Sequence, residues 1–373
     1  MKGKVLITGG AGFIGSHTAD LMHQQGYEVR ILDNLSPKIH NGELPRYLNK
    51  DYEFIKGDVR LKKSWYQALQ GVDYVIHLAG KMDLTPDFSD YARVNVAGTA
   101  NLYEMIVKNR FRVKRVILAS SQFVYGQGKW QCKKDGIVYP KERYETDLKK
   151  GKWDPVCPIC KGKIKYLSNT EDVVDPPNHY AVSKYSSELM GLKLGRIYHI
   201  PTVVLRYSIT HGSRQSIKNL YSGALRQFVL WILAGKNIEI YEDGEQLRDY
   251  ISVKDVANAN LVVLQSKNSD FETFNVAGDE VYKIKDLAKL VRKVMNKKTR
   301  ILKKGLYRPG DIRNAVSDNS KLKSLGWRPQ FNEEGSIRDF IKWIKSVEDE
   351  SLIARGGKMK LNKLLPGTRI ASS

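Results

Sequence analysis

The sequence has few cysteines and no long apolar run, and both absences restrict what the chain can be. Its 373 residues include only 3 cysteines, too few for a disulfide framework, so we expect a reducing compartment. No apolar stretch approaches the ~18–20 residues of a membrane-spanning helix, and the run 228–234 predicts a core helix instead. The chain enters a strand pattern at its N-terminus without a signal-peptide pattern. We therefore expect a cytoplasmic protein that does not bind membranes.

Acidic residues are scarce relative to basic ones. The chain has 62 Lys and Arg against 40 Asp and Glu, a net charge of +22. The densest basic segments, 129–165 and 283–304, carry no zinc-finger, aromatic-ribbon or basic-arm pattern, so nucleic acid is not the expected partner. A basic surface would instead steer an anionic substrate such as a nucleoside diphosphate towards its site.

The first fifteen residues have the pattern of a nucleotide-phosphate turn. The apolar run 5–7 predicts a strand buried in a parallel sheet, and a helical period follows over 13–23. Between them, Gly9 permits a tight turn, Gly12 allows backbone to approach a pyrophosphate, and Gly15 allows the helix to pack on the strand. The helix N-terminus would present free N–H groups to the anion. The alternative is an ordinary turn before a core helix.

The second predicted strand, 28–32, ends at Asp33. An acid at this distance can accept both ribose hydroxyls of an adenosine and would repel a 2′-phosphate, so the sequence predicts NAD rather than NADP. Further strands are expected at 52–55, 72–78 and 115–119, with helices between them. This alternation predicts an α/β fold, a Rossmann-type doubly wound parallel sheet.

The apolar period stops after this first half and later resumes. Residues 1–207 are predicted to form the NAD-binding domain, with a cysteine-containing insertion at about 127–170. Residues 208–350 are predicted to form mainly a smaller C-terminal substrate-binding lobe, with some strands and helices returning to the Rossmann sheet. The basic tail 351–373 is expected to be disordered.

Three side chains suit hydride chemistry at a carbinol carbon. Tyr180 and Lys184 lie four residues apart in the predicted helix 179–198, so they share one face. A phenol of pKa ~10 is a poor base at neutral pH, but a neighbouring ammonium and a positively charged nicotinamide ring would lower the pKa of Tyr180. Ser121, at the end of a predicted strand, can hydrogen-bond the reacting oxygen. The alternative is an exposed helix pair without catalytic function.

The chain as a whole resembles the extended short-chain dehydrogenase/reductase family, in particular its NAD-dependent nucleotide-sugar epimerases and dehydratases. The motifs follow the family's order between residue 1 and about 345: Thr8–Gly15, Asp33, Asp58–Val59, His77–Gly80, Asn95, Ser120–Ser121, Val124–Gly126, Tyr180–Lys184, Leu205–Tyr207, Arg248–Tyr250, Asp255–Ala257 and Arg308–Asp311. The resemblance implies a homodimer that acts on a sugar carried by a nucleoside diphosphate.

The residues and the resemblance together assign a candidate site. The expected NAD contacts are Gly9, Gly12, Phe13, Ile14, Gly15, Asp33, Asn34, Asp58, Val59, Leu78, Ala79, Gly80, Asn95, Tyr180 and Lys184. The expected substrate contacts are Ser121, Gln122, Tyr180, Arg248, Arg308 and Asp311, of which the two arginines match those that hold the diphosphate in the family. Ser121, Tyr180 and Lys184 are the expected catalytic residues.

The expected activity is 4-epimerisation, in which C4 of the hexose is oxidised transiently and hydride returns to the opposite face. The dehydratases that the chain resembles carry an Asp-Glu pair after the catalytic Ser or Thr, whereas this chain has Gln122 and Phe123, neither of which can transfer a proton. A 4,6-dehydratase or a 4-ketoreductase is the alternative. An alternative of another class is a non-catalytic NAD-binding protein with a basic partner-binding surface.

Two departures from the family bear on the substrate. The motif around Tyr207 usually continues with Phe-Asn, and the Asn contacts the substrate, but here Ser208 and Ile209 follow, which leaves the sugar unspecified. The insertion at about 127–170 is absent from ordinary UDP-galactose 4-epimerases and resembles that of the dTDP-L-rhamnose 4-epimerase subgroup.

All three cysteines lie in that insertion. Cys157 and Cys160 have C-x-x-C spacing and are followed by Gly162, as in a zinc knuckle, while Cys132 and Asp135 repeat the spacing with a carboxylate. Three thiolates and one carboxylate would form a closed tetrahedral site, so we hypothesise a structural zinc ion that is not catalytic. The alternatives are a degenerate knuckle that has lost its metal and an incidental thiol pair.

Overall fold

The computed structural model describes residues 2–83, 85–216, 223–346 and 368–371. The strands are β1 Lys4–Thr8, β2 Glu28–Asp33, β3 Glu53–Lys56, β4 Tyr74–His77, β5 Arg115–Ser121, β6 Trp130–Cys132, β7 Gly136–Val138, β8 Ile164–Tyr166, β9 Thr202–Tyr207, β10 Ile209–His211, β11 Ile238–Ile240, β12 Leu247–Ser252, β13 Thr273–Val276, β14 Val281–Lys283, β15 Ile301–Lys303, β16 Leu306–Tyr307 and β17 Arg369–Ile370. The α-helices are α1 Phe13–Gln24, α2 Pro37–His40, α3 Lys62–Ala68, α4 Phe88–Tyr91, α5 Gly98–Lys108, α6 Glu145–Lys149, α7 His179–Ile197, α8 Ala224–Leu233, α9 Val253–Gln265, α10 Ile284–Val294, α11 Ser320–Lys323 and α12 Glu333–Ser346.

Seven parallel strands form the central sheet in the order β3-β2-β1-β4-β5-β9-β13. At the centre, Ile7 of β1 pairs with Ile31 on one side and Ile76 on the other, and all three are fully buried. The strand order reverses between β1 and β4, and ligands of such sheets bind at the carboxyl ends of the strands beside that point. The predicted Rossmann-type sheet is therefore confirmed.

Two apolar layers cover the faces of this sheet. Val5 and Ile7 of β1 point to one layer, which includes residues of α1 and α9. Leu6 points to the other layer, which includes residues of α3 and α5 and is joined by partly buried residues of α7. Because successive side chains of a strand face opposite sides, the short apolar run of β1 is buried on both. The layer with α5 and α7 holds α7 against the sheet.

A second apolar cluster lies in the C-terminal half of the chain and is built from α8, α10 and α12 with β11 and β12. In the same half, β13 pairs with β9 of the central sheet, and α9 packs on that sheet beside α1. The lobe and the sheet are thus interleaved along the sequence. None of the described helices is long and apolar enough to cross a membrane.

Some boundaries differ from the sequence predictions. The helix predicted from the apolar run 228–234 spans Ala224–Leu233 and follows Gly223, which has a φ of +95°. Residues 217–222 lie outside the described residues. Within the tail predicted to be disordered, residues 351–367 and 372–373 also lie outside them, but Arg369–Ile370 pairs antiparallel with Leu306–Tyr307. A two-residue strand is too short for any periodicity to reveal.

The insertion contains regular structure that its sequence does not show. Strands β6, β7 and β8 form a small antiparallel sheet in the order β7-β6-β8. Each strand has only three residues, which is too short for an alternating apolar pattern to be visible.

Candidate active site

A cavity of about 1750 Å³ opens at the carboxyl ends of the central strands and reaches the C-terminal lobe. Since pockets for one drug-sized ligand are about 300–1,000 Å³, it has room for a dinucleotide and a second ligand. It is lined by all the predicted cofactor and substrate residues but one: Gly9, Gly12, Phe13, Ile14, Gly15, Asp33, Asn34, Asp58, Val59, Leu78, Ala79, Gly80, Ser121, Gln122, Tyr180, Lys184, Arg248, Arg308 and Asp311.

The exception is Asn95, which lies behind the wall of the cavity. It is in the π-helical turn Ala92–Ala97 and is 2% exposed. Its amide accepts a hydrogen bond from the backbone N–H of Lys81 at 2.8 Å and donates to Ser183 Oγ at 2.8 Å. Asn95 therefore joins the loop after β4 to α7 and positions residues on both sides of the cavity.

The glycine turn between β1 and α1 is shaped for close approach of an anion. Gly9 has a φ of +67°, and a Cβ on Gly15 would lie 2.1 Å from the carbonyl oxygen of Gly9, so no other residue fits there. Gly12 is the N-cap of α1 and has no side chain to cover the first N–H groups of the helix. These N–H groups and the dipole of α1 fit a pyrophosphate.

Asp33 is held firmly at the carboxyl end of β2. Its Oδ2 accepts a hydrogen bond from the backbone N–H of Ala11 at 3.1 Å, and its Oδ1 accepts one from that of Leu35 at 2.9 Å. Burial raises the pKa of Asp33, and these backbone N–H groups oppose the rise. The remaining lone pairs of this oriented carboxylate fit ribose hydroxyls, as the sequence predicts.

Asp58, after β3, forms a second polar wall beside Asn34. Asn34 Nδ2 donates to Asp58 Oδ2 at 3.1 Å, and the guanidinium of Arg60 donates to both carboxylate oxygens at 3.0 and 2.8 Å. Burial would raise the pKa of Asp58, but the hydrogen bonds from Arg60 and Asn34 lower it overall. The acid is therefore ionised, and it fixes the edge of the cavity expected to meet an adenine.

The first turns of α7 carry Tyr180 and Lys184 into the cavity opposite the end of β5. Asn178 caps this helix, since its Oδ1 accepts a hydrogen bond from the backbone N–H of Ala181 at 3.0 Å. Tyr180 is hydrogen-bonded to Ser121, the last residue of β5. The structure thus brings the three predicted catalytic residues together.

Burial controls the proton affinities of this group. It raises the pKa of Tyr180 to about 12, against the hydrogen bond from Ser121, and it lowers the pKa of Lys184 to about 8, against the charge of Glu188. In the protein without NAD, desolvation of the phenolate dominates, so the predicted lowering of the pKa of Tyr180 by Lys184 and an oxidised nicotinamide ring stays a prediction. Lowering it requires further positive charge in the cavity, such as that of an oxidised nicotinamide ring.

Glu188 was not recognised from the sequence. Its carboxylate forms an ion pair with Arg206 of β9 at 2.7 Å, and both side chains are buried. Ser120 of β5 donates to the same carboxylate. Glu188 follows Lys184 by four residues on one helix face, and this spacing was the available signal. The pair fixes α7 to two central strands and so positions Tyr180.

The opposite wall of the cavity carries the two predicted phosphate-binding arginines. Arg248 donates to the carbonyl oxygens of Arg313 at 2.8 Å and Ile312 at 3.1 Å, and Arg308 forms an ion pair with Asp311 at 2.9 Å. Burial would raise the pKa of Asp311, but nearby arginines, Arg308 first, lower it overall. This wall therefore presents two oriented guanidinium groups beside an ionised carboxylate.

Gln122 is buried beside the carboxylate of Asp249. With its amide oriented to satisfy both ends, it donates to Asp249 Oδ1 at 2.9 Å and accepts from the backbone N–H of Ile209 at 3.1 Å. Asp249 also accepts from Ser208 Oγ at 2.9 Å, and burial raises its pKa to about 7. Asp249 is not among the residues that line the cavity. Gln122 therefore separates this acid from the cavity.

A model of the NAD dependent epimerase/dehydratase family matches residues 5–147 and 158–277. The chain belongs to this family. The predicted family, its enzymatic class and NAD as cofactor are thereby confirmed. The geometry of the glycine turn and the oriented carboxylate of Asp33 fit NAD. The predicted homodimer and cytoplasmic location stay predictions.

Individual members of the family align with nearly the whole chain. A dTDP-L-rhamnose 4-epimerase from Burkholderia thailandensis is 33% identical over 354 residues, 93% of this chain and 96% of that protein. Among solved structures, a UDP-glucose 4-epimerase from Thermotoga maritima with UDP-glucose is 26% identical, with a TM-score of 0.74 over 92% of this chain and 98% of that one. A UDP-glucose 4-epimerase from Thermus thermophilus in complex with NAD is 26% identical, with a TM-score of 0.71 over 92% and 99%.

Proposed function

We propose that this member of the family is a 4-epimerase of a nucleoside-diphosphate hexose. The observation that carries the proposal is the contact between Ser121 at the end of β5 and Tyr180 of α7, in a cavity large enough for a second ligand. Positions 122 and 123 hold no proton-transferring residue. Oxidation and reduction at one carbinol need a single base, and Tyr180 can supply it.

The cofactor and the residues around it have separate roles in this reaction. NAD, when bound, supplies a reversible hydride acceptor. Ser121 and Tyr180 hydrogen-bond the C4 hydroxyl, and Tyr180 Oη takes its proton during oxidation and returns it to the same oxygen during reduction. Lys184 adds positive charge near Gly80, where its Nζ is 3.6 Å from the position of a Cβ on that glycine. Inversion follows when the 4-keto sugar turns over before it is reduced.

Epimerisation is favoured over dehydration by the groups that face the sugar. Loss of water across C5 and C6 needs an additional acid and base, whereas Gln122 is an amide engaged at both ends and Phe123 has a hydrocarbon ring. The segments 120–123 and 207–210 line this part of the cavity and contain no carboxylate. This part of the cavity therefore lacks the second acid and base that a 4,6-dehydratase requires.

The side chain of Ile209 bears on which sugar is bound. It lines the cavity where the family usually has an Asn, and it adds an apolar surface. An apolar wall favours a deoxygenated hexose, because a hydroxyl buried against it would lose a hydrogen bond to water. The relative at 33% identity is a dTDP-L-rhamnose 4-epimerase, so a dTDP-6-deoxyhexose is the first substrate to test.

The test is incubation of the purified protein, without added cofactor, with a panel of dTDP-, UDP- and GDP-hexoses followed by proton NMR. We expect one sugar to give its C4 epimer and no net change in the oxidation state of the cofactor. The Tyr180→Phe protein is the matched control for contaminating epimerases. Accumulation of a 4-keto-6-deoxy product would instead identify a dehydratase, and turnover that requires added reduced cofactor would identify a ketoreductase.

A further inference from the structure

Four potential metal ligands converge in the insertion, away from the residues that line the cavity. Ligand atoms of Cys132, Asp135, Cys157 and Cys160 all lie within 4.8 Å of one another. Cys132 ends β6 and Asp135 lies in the turn to β7, whereas the other two cysteines lie in the loop before β8. Pairing of β6 with both β7 and β8 brings the two turns together.

Three of the six ligand–ligand distances within this cluster lie close to the edges of a tetrahedral zinc site. A zinc ion with Zn–S bonds of about 2.3 Å and a Zn–O bond of about 2.0 Å holds two sulfurs about 3.8 Å apart and a sulfur and an oxygen about 3.5 Å apart. The sulfurs of Cys132 and Cys160 are 3.6 Å apart, and Asp135 Oδ2 is 3.2 Å from Cys132 Sγ and 3.1 Å from Cys157 Sγ. Filling the site requires these edges to lengthen by only a few tenths of an ångström.

Both turns have a backbone shape that directs their ligands inward. Gly136 has a φ of +74° and Lys161 a φ of +60°, so each turn reverses just after its second ligand. In the second turn, the N–H of Lys161 donates to the carbonyl of Cys157 at 3.0 Å. A Cβ on Gly162 would lie 3.3 Å from the sulfur of Cys160, so glycine leaves space for that sulfur.

The apolar cluster beside these ligands is small. Its buried members are Trp130, Cys132, Val138 and Cys157, and two of these four are candidate ligands. Exposed lysines at 133, 134, 161 and 163 flank the ligands. Three thiolates, one carboxylate and a divalent ion carry a charge of −2, which these lysines offset.

We propose that these four side chains bind one structural zinc ion. The four ligands close the coordination sphere, which leaves no position for a water molecule or a substrate, so the ion takes no part in catalysis. Its binding free energy instead stabilises the fold of the insertion. This inference does not depend on the activity proposed above.

The insertion also contacts and supports the wall of the cavity that carries Arg248 and Arg308. The side chain of Arg143 is buried, donates to the carbonyl oxygen of Asp311 at 3.0 Å and pairs with Glu242 of the C-terminal lobe at 2.8 Å. The insertion's Asp154 pairs with Arg313 at 2.7 Å. We therefore expect loss of the ion to loosen the 308–313 segment as well as the insertion.

The first test is metal analysis of the full chain, prepared without a histidine tag or chelators. We expect about one zinc per chain, and replacement of the zinc by Co²⁺ should give the visible bands and thiolate charge-transfer absorption of a tetrahedral thiolate site. Less than a tenth of a zinc per chain would overturn the proposal, as would a Cys132–Cys160 disulfide found by mass spectrometry in the protein as purified. Both measurements use the unaltered chain, so they do not depend on a variant that folds.

Matched variants test the ligand set. We expect Asp135→Ala to lower zinc affinity at least tenfold in competition with a chromogenic chelator, while Asp172→Ala, at an exposed acid just beyond the insertion, leaves it unchanged. Hydrogen exchange should then become faster in the insertion and in the 308–313 segment when the wild-type protein is stripped of zinc. Equal zinc affinities of the two variants would remove Asp135 from the ligand set, and unchanged exchange would refute the structural role.

Discussion

The substitution Tyr180→Phe tests the assignment of the general base most directly. It removes the hydroxyl that contacts Ser121 and leaves the buried ring in place, so α7 and the glycine turn are not disturbed. Burial raises the pKa of Tyr180 to about 12 in the protein alone. At pH 8, only about one such phenol in 10⁴ would be ionised. If the positive charge of the bound cofactor lowers this pKa, the ionised fraction of Tyr180 at pH 8 can rise by up to about 10⁴-fold.

We accordingly expect Tyr180→Phe to lower kcat by about 10²–10⁴-fold, the range in which general bases contribute. The assay is epimerisation followed by NMR, with bound NAD released by denaturation and quantified by chromatography. NAD content should be unchanged. The wild-type rate should rise with pH up to the pKa of Tyr180 in the complex, because the phenolate is the active form, and this rise should be absent from the variant.

Tyr103→Phe is the matched control. Tyr103 is also buried, and its hydroxyl hydrogen-bonds Thr202 Oγ1 at 2.7 Å, away from the cavity. Removing this bond should lower the free energy of unfolding by about 1 kcal/mol and leave kcat unchanged. If Tyr180→Phe retains more than about a tenth of the wild-type kcat, Tyr180 is not the base.

Three further predictions concern binding and stability. Gly15→Ala should lose NAD on purification, because its Cβ would lie 2.1 Å from a backbone oxygen of the phosphate turn; normal NAD content would contradict the proposed geometry. Glu188→Gln should lower the free energy of unfolding by about 3–5 kcal/mol, since it leaves Arg206 buried without its countercharge. The control Glu272→Gln removes the charge of an exposed ion pair and should lower the free energy of unfolding by less than about 1 kcal/mol. Similar denaturation midpoints of the two variants would refute this prediction. Burial raises the folded-state pKa of Asp249 to about 7, above its unfolded value of about 3.9, so this group's contribution to stability is complete below pH ~4 and is lost as the pH rises to about 7. Asp249→Asn should remove that loss in denaturation midpoints measured over this pH range, and an unchanged pH dependence would show that Asp249 is ionised throughout.

The sequence alone was sufficient for features that local geometry dictates. An apolar run before three spaced glycines predicts a strand, a tight turn and a helix, and an acid at the end of the next strand lies beside that turn when the two strands are neighbours in a parallel sheet. Tyr180 and Lys184 share a helix face because the period of a helix is fixed. Because these local patterns place residues at the carboxyl ends of neighbouring strands and on one helix face, every predicted ligand-contact residue except Asn95 lines the cavity.

Only the tertiary structure decided the features that arise between residues distant in sequence. The spacing of Tyr180 and Lys184 could not show that burial raises the pKa of one and lowers that of the other, because desolvation depends on everything packed around them. Gln122 shields Asp249 from the cavity, and Arg143 of the insertion supports the wall that carries Arg308. Such contacts join segments separated by more than a hundred residues, and no local period encodes them, so they are determined by how the sheet, the lobe and the insertion pack together.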